Sequence, residues 1–298
     1  MRLATLRCDE QEEAAIRVGE GYILIREINK ALGSAWETNL LELLTSGQFA
    51  SLHAWHRGEG ERLLAAMTDV VVDKKQARFA PLYRHPRKIW GIGLNYVEHA
   101  GDLAEKAPTH SPASFAKFDT TVIGPGDTIS IPLQSERTTA EAELGIIFGK
   151  TCRDVAESDW LEAVAGFTTL IDMTAEDILA LNPRYLTRSK NFDSFFSFGP
   201  ELVTPDEIGD VAGLTVATVL NGAVHAQNVV ANMTFPPAYL VSFHSQVATM
   251  LPGDIICTGT PRAVRIAHGD TAECRIDGFE PLQNPVIDRK LAAGSPKE

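Results

Sequence analysis

The sequence predicts an α+β fold in which a small N-terminal α+β domain, residues 1–85, precedes a larger β-rich domain, residues 86–298. Three observations carry this. Short apolar runs of strand length recur in the second part, at 144–148 and 165–171, each bounded by polar residues. Turn signals punctuate the same region: Gly124-Pro125-Gly126-Asp127, Asn221-Gly222, Pro252-Gly253-Asp254, Gly269-Asp270 and Asp277-Gly278. Finally, Arg84-His85-Pro86-Arg87 turns polar just before the apolar run 89–92, and its proline restricts the preceding residue, which places the boundary there.

Within residues 1–85 two short strands flank the turn Gly19-Glu20-Gly21. Helical segments follow, carrying Leu40, Leu41, Leu43 and Leu44, then Leu63, Leu64 and Met67. No chemistry-bearing cluster stands out there. In the second domain helices are expected near Asn95, at Thr174, where Thr174-Ala175-Glu176-Asp177 reads as a capping sequence, and near Pro237. No repeat of fixed period occurs, which excludes solenoids and propellers.

The chain has 298 residues, 44% of them hydrophobic, enough for a substantial core. Its 27 basic and 39 acidic residues give a net charge of −12, which repels phosphate backbones and anionic lipid, so neither nucleic acid nor membrane is an expected partner. The four cysteines, Cys8, Cys152, Cys257 and Cys274, contain no Cys-x-x-Cys pair and define no disulfide framework. A reducing cytoplasm fits them. Charged residues cross the first twenty positions and no apolar stretch reaches spanning length, so no export signal or anchor is expected.

The chemistry concentrates in Glu141-Ala142-Glu143 and the lone Asp172. On a strand alternate side chains share a face, so Glu141 and Glu143 point the same way, roughly 6 to 7 Å apart, while Ala142, Leu144, Ile146 and Phe148 take the other face. Gly145 and Ile147 continue the glutamate face, which argues against a fully wet surface. A divalent cation would relieve the repulsion between the two carboxylates. Taken alone, Glu-x-Glu is more often a solvated strand edge, and that reading stands beside the first.

Other candidates carry an ordinary alternative as well. His99 and Asp102, spaced for one helical face, could form an acid/base pair in which the carboxylate orients the imidazole, or a plain structural hydrogen bond. Lys117 and Lys190 would supply the cation that a substrate carboxylate needs beside acidic metal ligands, or be solvated lysines. Thr258-Gly259-Thr260-Pro261 is a loop of small residues through which backbone amides can approach a ligand, or merely a turn. Gly91-x-Gly93 lacks the third glycine of a dinucleotide fingerprint, and Gly145 to Gly149 encloses strand-forming apolar residues that cannot cradle phosphate. No Gly-x-Ser-x-Gly elbow or His-Glu-x-x-His helix is present, which leaves metal assistance as the route to any hydrolysis.

In this order the segments resemble the fumarylacetoacetate hydrolase family over about residues 88–286. The resemblance rests on Gly93-Leu94-Asn95-Tyr96 with His99, Phe115 with Lys117, Glu141-Ala142-Glu143-Leu144, Asp172 with Thr174-Ala175, and Lys190 with Phe192-Asp193. Gly199-Pro200, Asn221-Gly222, Pro252-Gly253-Asp254 and Thr258-Gly259-Thr260-Pro261 complete the series. It implies a mixed-sheet catalytic domain, commonly dimeric, in which Glu141, Glu143 and Asp172 hold a divalent cation and His99 belongs to an acid/base dyad. Three carboxylates without Cys or His suit Mg²⁺, then Mn²⁺ or Ca²⁺.

The chemistry so implied is cleavage of a carbon-carbon bond in an acylpyruvate or related 1,3-dicarbonyl 2-oxo acid. His99 and Asp102 would activate water, Lys190 would take a catalytic part, and Lys117 and Thr260 would contact substrate. Decarboxylation or tautomerisation would use the same enolate, and a catalytically silent binding relative is the alternative from another class. Several positions depart from the family pattern: Asp102 for a common Glu, Ile171 for Asn, Glu176 for Arg, Ala226 for Gln and Ala263 for Gly. These imply a shifted substrate preference. Arg184 and Arg188, placed on the substrate side, would answer the charge of Glu176.

Overall fold

The computed structural model describes residues 1–96 and 108–292. Strands dominate them and assemble into two mixed sheets. The larger has thirteen strands and is centred on two long neighbours, Thr138–Phe148 and Val164–Ala175, every residue of which is buried. They pair antiparallel with Glu141 opposite Asp172 and Glu143 opposite Leu170. Ile255–Cys257 lies antiparallel beside Thr138–Phe148 and parallel to Ile89–Gly93, which in turn pairs with Ala113–Lys117. The smaller sheet runs Ala223–Val229, Thr215–Leu220, Thr271–Ile276, Leu282–Asp288 and Ile129–Ile131, the last pair parallel.

Strand periodicity divides the core. Ala140, Ala142, Leu144, Ile146 and Phe148 pack on one face of the central pair, together with Val216, Cys274 and Leu282 of the smaller sheet. On the other face Ile147 and Leu170 pack with Ile25, Leu43, Leu44 and Leu52 of the N-terminal helices. Burying both faces makes the sheet interior nearly dry, the setting in which any polar side chain needs a partner.

The N-terminal strands Arg2–Cys8, Gln11–Val18 and Gly21–Leu24 form a meander closed by the predicted turn at Gly19. Helices Ile25–Leu32, Leu40–Thr45, Gln48–Trp55 and Glu61–Ala65 follow, the second capped by Asn39. This unit continues the main sheet: Arg2–Cys8 pairs with Glu201–Val203, which pairs with Val164–Ala175, so hydrogen bonding runs unbroken across the seam. Glu201, 2% exposed, accepts a hydrogen bond from Tyr22 Oη at 2.7 Å and pairs with Arg2 and Arg17 at 3.3 and 3.4 Å.

The hairpin at Asn221-Gly222 forms as expected, both residues at positive φ, the geometry of a type I′ turn. Pro237–Val247 is helical. The expected cap at Thr174 is not. Thr174 and Ala175 still belong to the strand, paired with Thr139 and Thr138, and the helix begins at Glu176 without a side-chain cap. The Thr174 hydroxyl is committed to Glu141 instead.

Candidate metal centre

Carboxylate oxygens of Glu141, Glu143 and Asp172 lie within 4.8 Å of one another, all three residues buried. The pairing of two strands accounts for this. Glu141 and Glu143 share the face predicted by alternation, and the register sets Asp172 directly across from Glu141. Unscreened by any partner, like charges at that separation repel by at least roughly 3 kcal/mol per pair even at an effective dielectric of 20. Such a cluster needs cations.

Two ammonium groups answer it. Lys190 Nζ donates to Asp172 Oδ2 at 2.7 Å and Glu141 Oε2 at 3.0 Å, and stands 4.8 Å over the Phe115 ring. Lys117 Nζ donates to Asp172 Oδ1 at 2.6 Å and to the Lys190 carbonyl oxygen at 2.5 Å. Burial would push both ammonium groups down. For Lys190 the carboxylates of Asp172 and Glu141 outweigh it and the group is held above the usual range, whereas Lys117, with one carboxylate and Lys190 nearby, stays lowered. Burial, reinforced by Asp172 and Glu141, drives Glu143 well above the ordinary carboxylate range.

Neutral groups orient the acids. Thr174 Oγ1 donates to Glu141 Oε1 at 2.6 Å and the Gly259 amide donates to Glu143 Oε2 at 2.7 Å. Gly259 has φ +97°, and a Cβ there would sit 2.7 Å from Asn95 Cβ, so the approach requires glycine. Asn95 pins this loop: its Nδ2 donates to the carbonyls of Thr258 and Phe235, and its Oδ1 accepts from the Phe235 amide.

Thr260, next to Gly259, is buried, and its hydroxyl approaches Thr218 Oγ1 on strand Thr215–Leu220 at 3.4 Å and the Arg262 carbonyl oxygen of its own loop at 3.3 Å. Arg184 and Arg188 are exposed, and Glu176 is answered by Arg137, Nε to Oε2 at 2.6 Å, in place of either. Arg137 wins because it lies directly across the end of the ribbon, its carbonyl accepting from the Glu176 amide. His99 and Asp102 lie outside the described residues. Sequence reasoning overlooked Thr174 as a partner of Glu141, although its position two residues beyond Asp172 on the same strand face was the available signal.

The family model for the fumarylacetoacetate hydrolase C-terminal domain matches residues 88–287, two-thirds of the chain and the whole of this centre. The chain belongs to the fumarylacetoacetate hydrolase family. Its relatives in this family include a mitochondrial oxaloacetate tautomerase of Rattus norvegicus, 29% identical with 96% of this chain and 92% of the relative covered. The corresponding Homo sapiens tautomerase FAHD2A is 33% identical, with 76% and 74% covered. Among solved structures, maleylpyruvate hydrolase from Sphingobium sp. SYK-6, in complex with manganese(II) ion and pyruvate, superimposes with a TM-score of 0.76 at 26% identity. That match covers 97% of this chain and 99% of the other. Fumarylacetoacetate hydrolase from Exiguobacterium antarcticum gives 0.78 at 25% identity, covering 97% and 100%. Hydrolases and tautomerases thus both stand among the family's enzymes similar to this chain.

Proposed function

We propose that this family member is a divalent-cation-dependent enzyme of 2-oxo acids whose central step is enolate formation, and that keto-enol interconversion of a small dicarboxylic 2-oxo acid is its leading activity. The observation that carries the reading is the buried Glu141, Glu143 and Asp172 cluster with two ammonium groups set against it. Oxygen-only donors suit Mg²⁺, Mn²⁺ or Ca²⁺, and three carboxylates stand against two ammonium groups, so these residues fit such an ion. When bound, the cation would supply Lewis-acid polarisation of the substrate's carboxylate and keto oxygens.

The remaining work falls to the chain. Lys190, held charged, pairs with the oxyanion that develops on enolisation. Of the two lysines Lys117, whose ammonium burial lowers, gives up and retakes a proton at Nζ more readily than Lys190 and is assigned that part. Thr174 and the Gly259 amide keep Glu141 and Glu143 in place. Similarity to an oxaloacetate tautomerase over 96% of the chain supports interconversion beside cleavage.

A second reading, carbon-carbon hydrolysis of an acylpyruvate, is supported by the likeness to maleylpyruvate hydrolase and by His99 and Asp102 in the sequence, which would activate the water. One experiment separates the two. With Mg²⁺ and then Mn²⁺, the ultraviolet decay of enol-oxaloacetate is followed beside pyruvate release from acetylpyruvate. Metal-dependent decay without release supports the first reading, release supports the second, and neither signal with either ion overturns both. We further propose a homodimer, which light scattering at micromolar concentration tests, and a reducing compartment, with the cytoplasm first, for its four free cysteines.

A further inference from the structure

The ribbon that carries the carboxylates continues outward. Beyond Glu141 and Asp172 come Thr139 and Thr174, and beyond them Arg137 and Glu176, joined by a main-chain hydrogen bond of 2.9 Å and by their ion pair. Side-chain exposure is 0% at Asp172, 12% at Glu141, 14% at Glu176 and 61% at Arg137, with Thr139 and Thr174 buried between them. The carboxylate-bearing face of the ribbon thus reaches solvent at Arg137. Two residues of strand advance roughly 6 to 7 Å, so the Arg137 backbone lies on the order of 13 Å from that of Glu141, a gap that a long side chain and a small diacid can span between them.

We propose that Arg137 is a specificity-determining residue that pairs with the second carboxylate of a dicarboxylic 2-oxo acid, an inference that rests on the enolate reading above. Lys117 and Lys190 are held against Asp172 and Glu141, at the end of the site where the enolate forms, and do not reach a second carboxylate at the far end of a diacid. Arg137 pairs with Glu176, Nε to Oε2 at 2.6 Å, without a hydrogen bond to that oxygen, so its planar guanidinium keeps donors that match a carboxylate. Among the described residues Glu176 is the only acid in an ion pair with Arg137. A monocarboxylic 2-oxo acid has nothing to place there. Charge and direction together thus select a diacid.

The test uses the full chain with saturating Mn²⁺ and measures calorimetric binding of pyruvate and of 2-oxoglutarate to wild type, Arg137→Gln and Arg137→Lys. Arg137 is itself 61% exposed and removing it leaves the strand pairing beside it intact, so both variants are expected to fold, which thermal unfolding checks. Loss of a charge-assisted pair should weaken 2-oxoglutarate roughly ten- to a hundredfold in Arg137→Gln, with pyruvate changed less than about twofold. Arg137→Lys should fall between, keeping the charge without the fork. Equal weakening of both acids, or unchanged 2-oxoglutarate binding, overturns the proposal and leaves the enolate reading standing. Wild type that binds neither acid overturns both.

Discussion

Replacing Lys190 by methionine tests whether its ammonium and a divalent cation serve the same carboxylates. The ammonium lies 2.7 Å from Asp172 and 3.0 Å from Glu141, contacts each equivalent to roughly 5 to 6 kcal/mol at an effective dielectric of 20 before desolvation is counted. Removing one partner of such a buried pair costs about 3 to 5 kcal/mol net, because the acids are left uncompensated. For a chain of 298 residues, with an unfolding entropy near 2.1 cal/mol/K per residue, that lowers Tm by about 5 to 8 °C. Added cation should restore charge to the same oxygens, and at a hundred times its Kd contributes about 2.7 kcal/mol. Lys190→Met should therefore melt well below wild type in chelator and show the larger rise when Mn²⁺ is added. Thermal unfolding with EDTA and with a Mn²⁺ series measures both. An equal deficit with and without saturating Mn²⁺ would show that Lys190 and the cation do not share these carboxylates.

Three further outcomes are expected. Glu143→Ala should weaken Mg²⁺ binding at least tenfold by calorimetry, and wild-type affinity in that variant would remove Glu143 from the metal site. His244 is buried, its Nδ1 against the Leu240 carbonyl and its Nε2 against Ser114 Oγ, and burial holds its pKa below the usual value. The unfolded chain then binds more protons, so this contribution is complete above about pH 6.5 and is lost as pH falls through the folded value. Urea unfolding from pH 7.5 to 5 should show a smaller acid loss in His244→Gln than in wild type. Asp102→Asn should leave Mg²⁺ affinity intact and, if acylpyruvate cleavage is the activity, lower its turnover by a factor on the order of 10² to 10⁴ while oxaloacetate interconversion changes little. Unchanged cleavage would make Asp102 structural.

The carboxylate cluster was partly legible because two-residue alternation puts Glu141 and Glu143 on one face whatever the rest of the fold does, and an acidic pair in an apolar strand is a conflict visible in one dimension. Asp172 is less local. Only the register of Val164–Ala175 against Thr138–Phe148 brings it across from Glu141, and no spacing rule specifies a register between strands so far apart in sequence. Thr174 was misread for the opposite reason. Its capping pattern was genuine, but continued pairing with Thr139 held it in the strand and turned its hydroxyl to a carboxylate. The answer to Glu176 was sought nearby at Arg184 and Arg188 and came from Arg137, almost forty positions upstream, because side chains across a ribbon are nearer than those along a departing helix. Composition likewise could not reveal that the first seventy residues extend the main sheet.

That extension makes the N-terminal part more than an accessory. A chain cut back to residues 88–287 would keep every carboxylate of the centre but bare the hydrogen-bonding edge of Glu201–Val203, strip Leu170 and Ile147 of the helices that cover them, and strand the Glu201 carboxylate without Tyr22, Arg2 or Arg17. An open apolar edge of this kind recruits strands from other molecules. The N-terminal segment thus occupies the edge of the sheet that carries the carboxylates and covers its apolar face for as long as the two remain on one polypeptide.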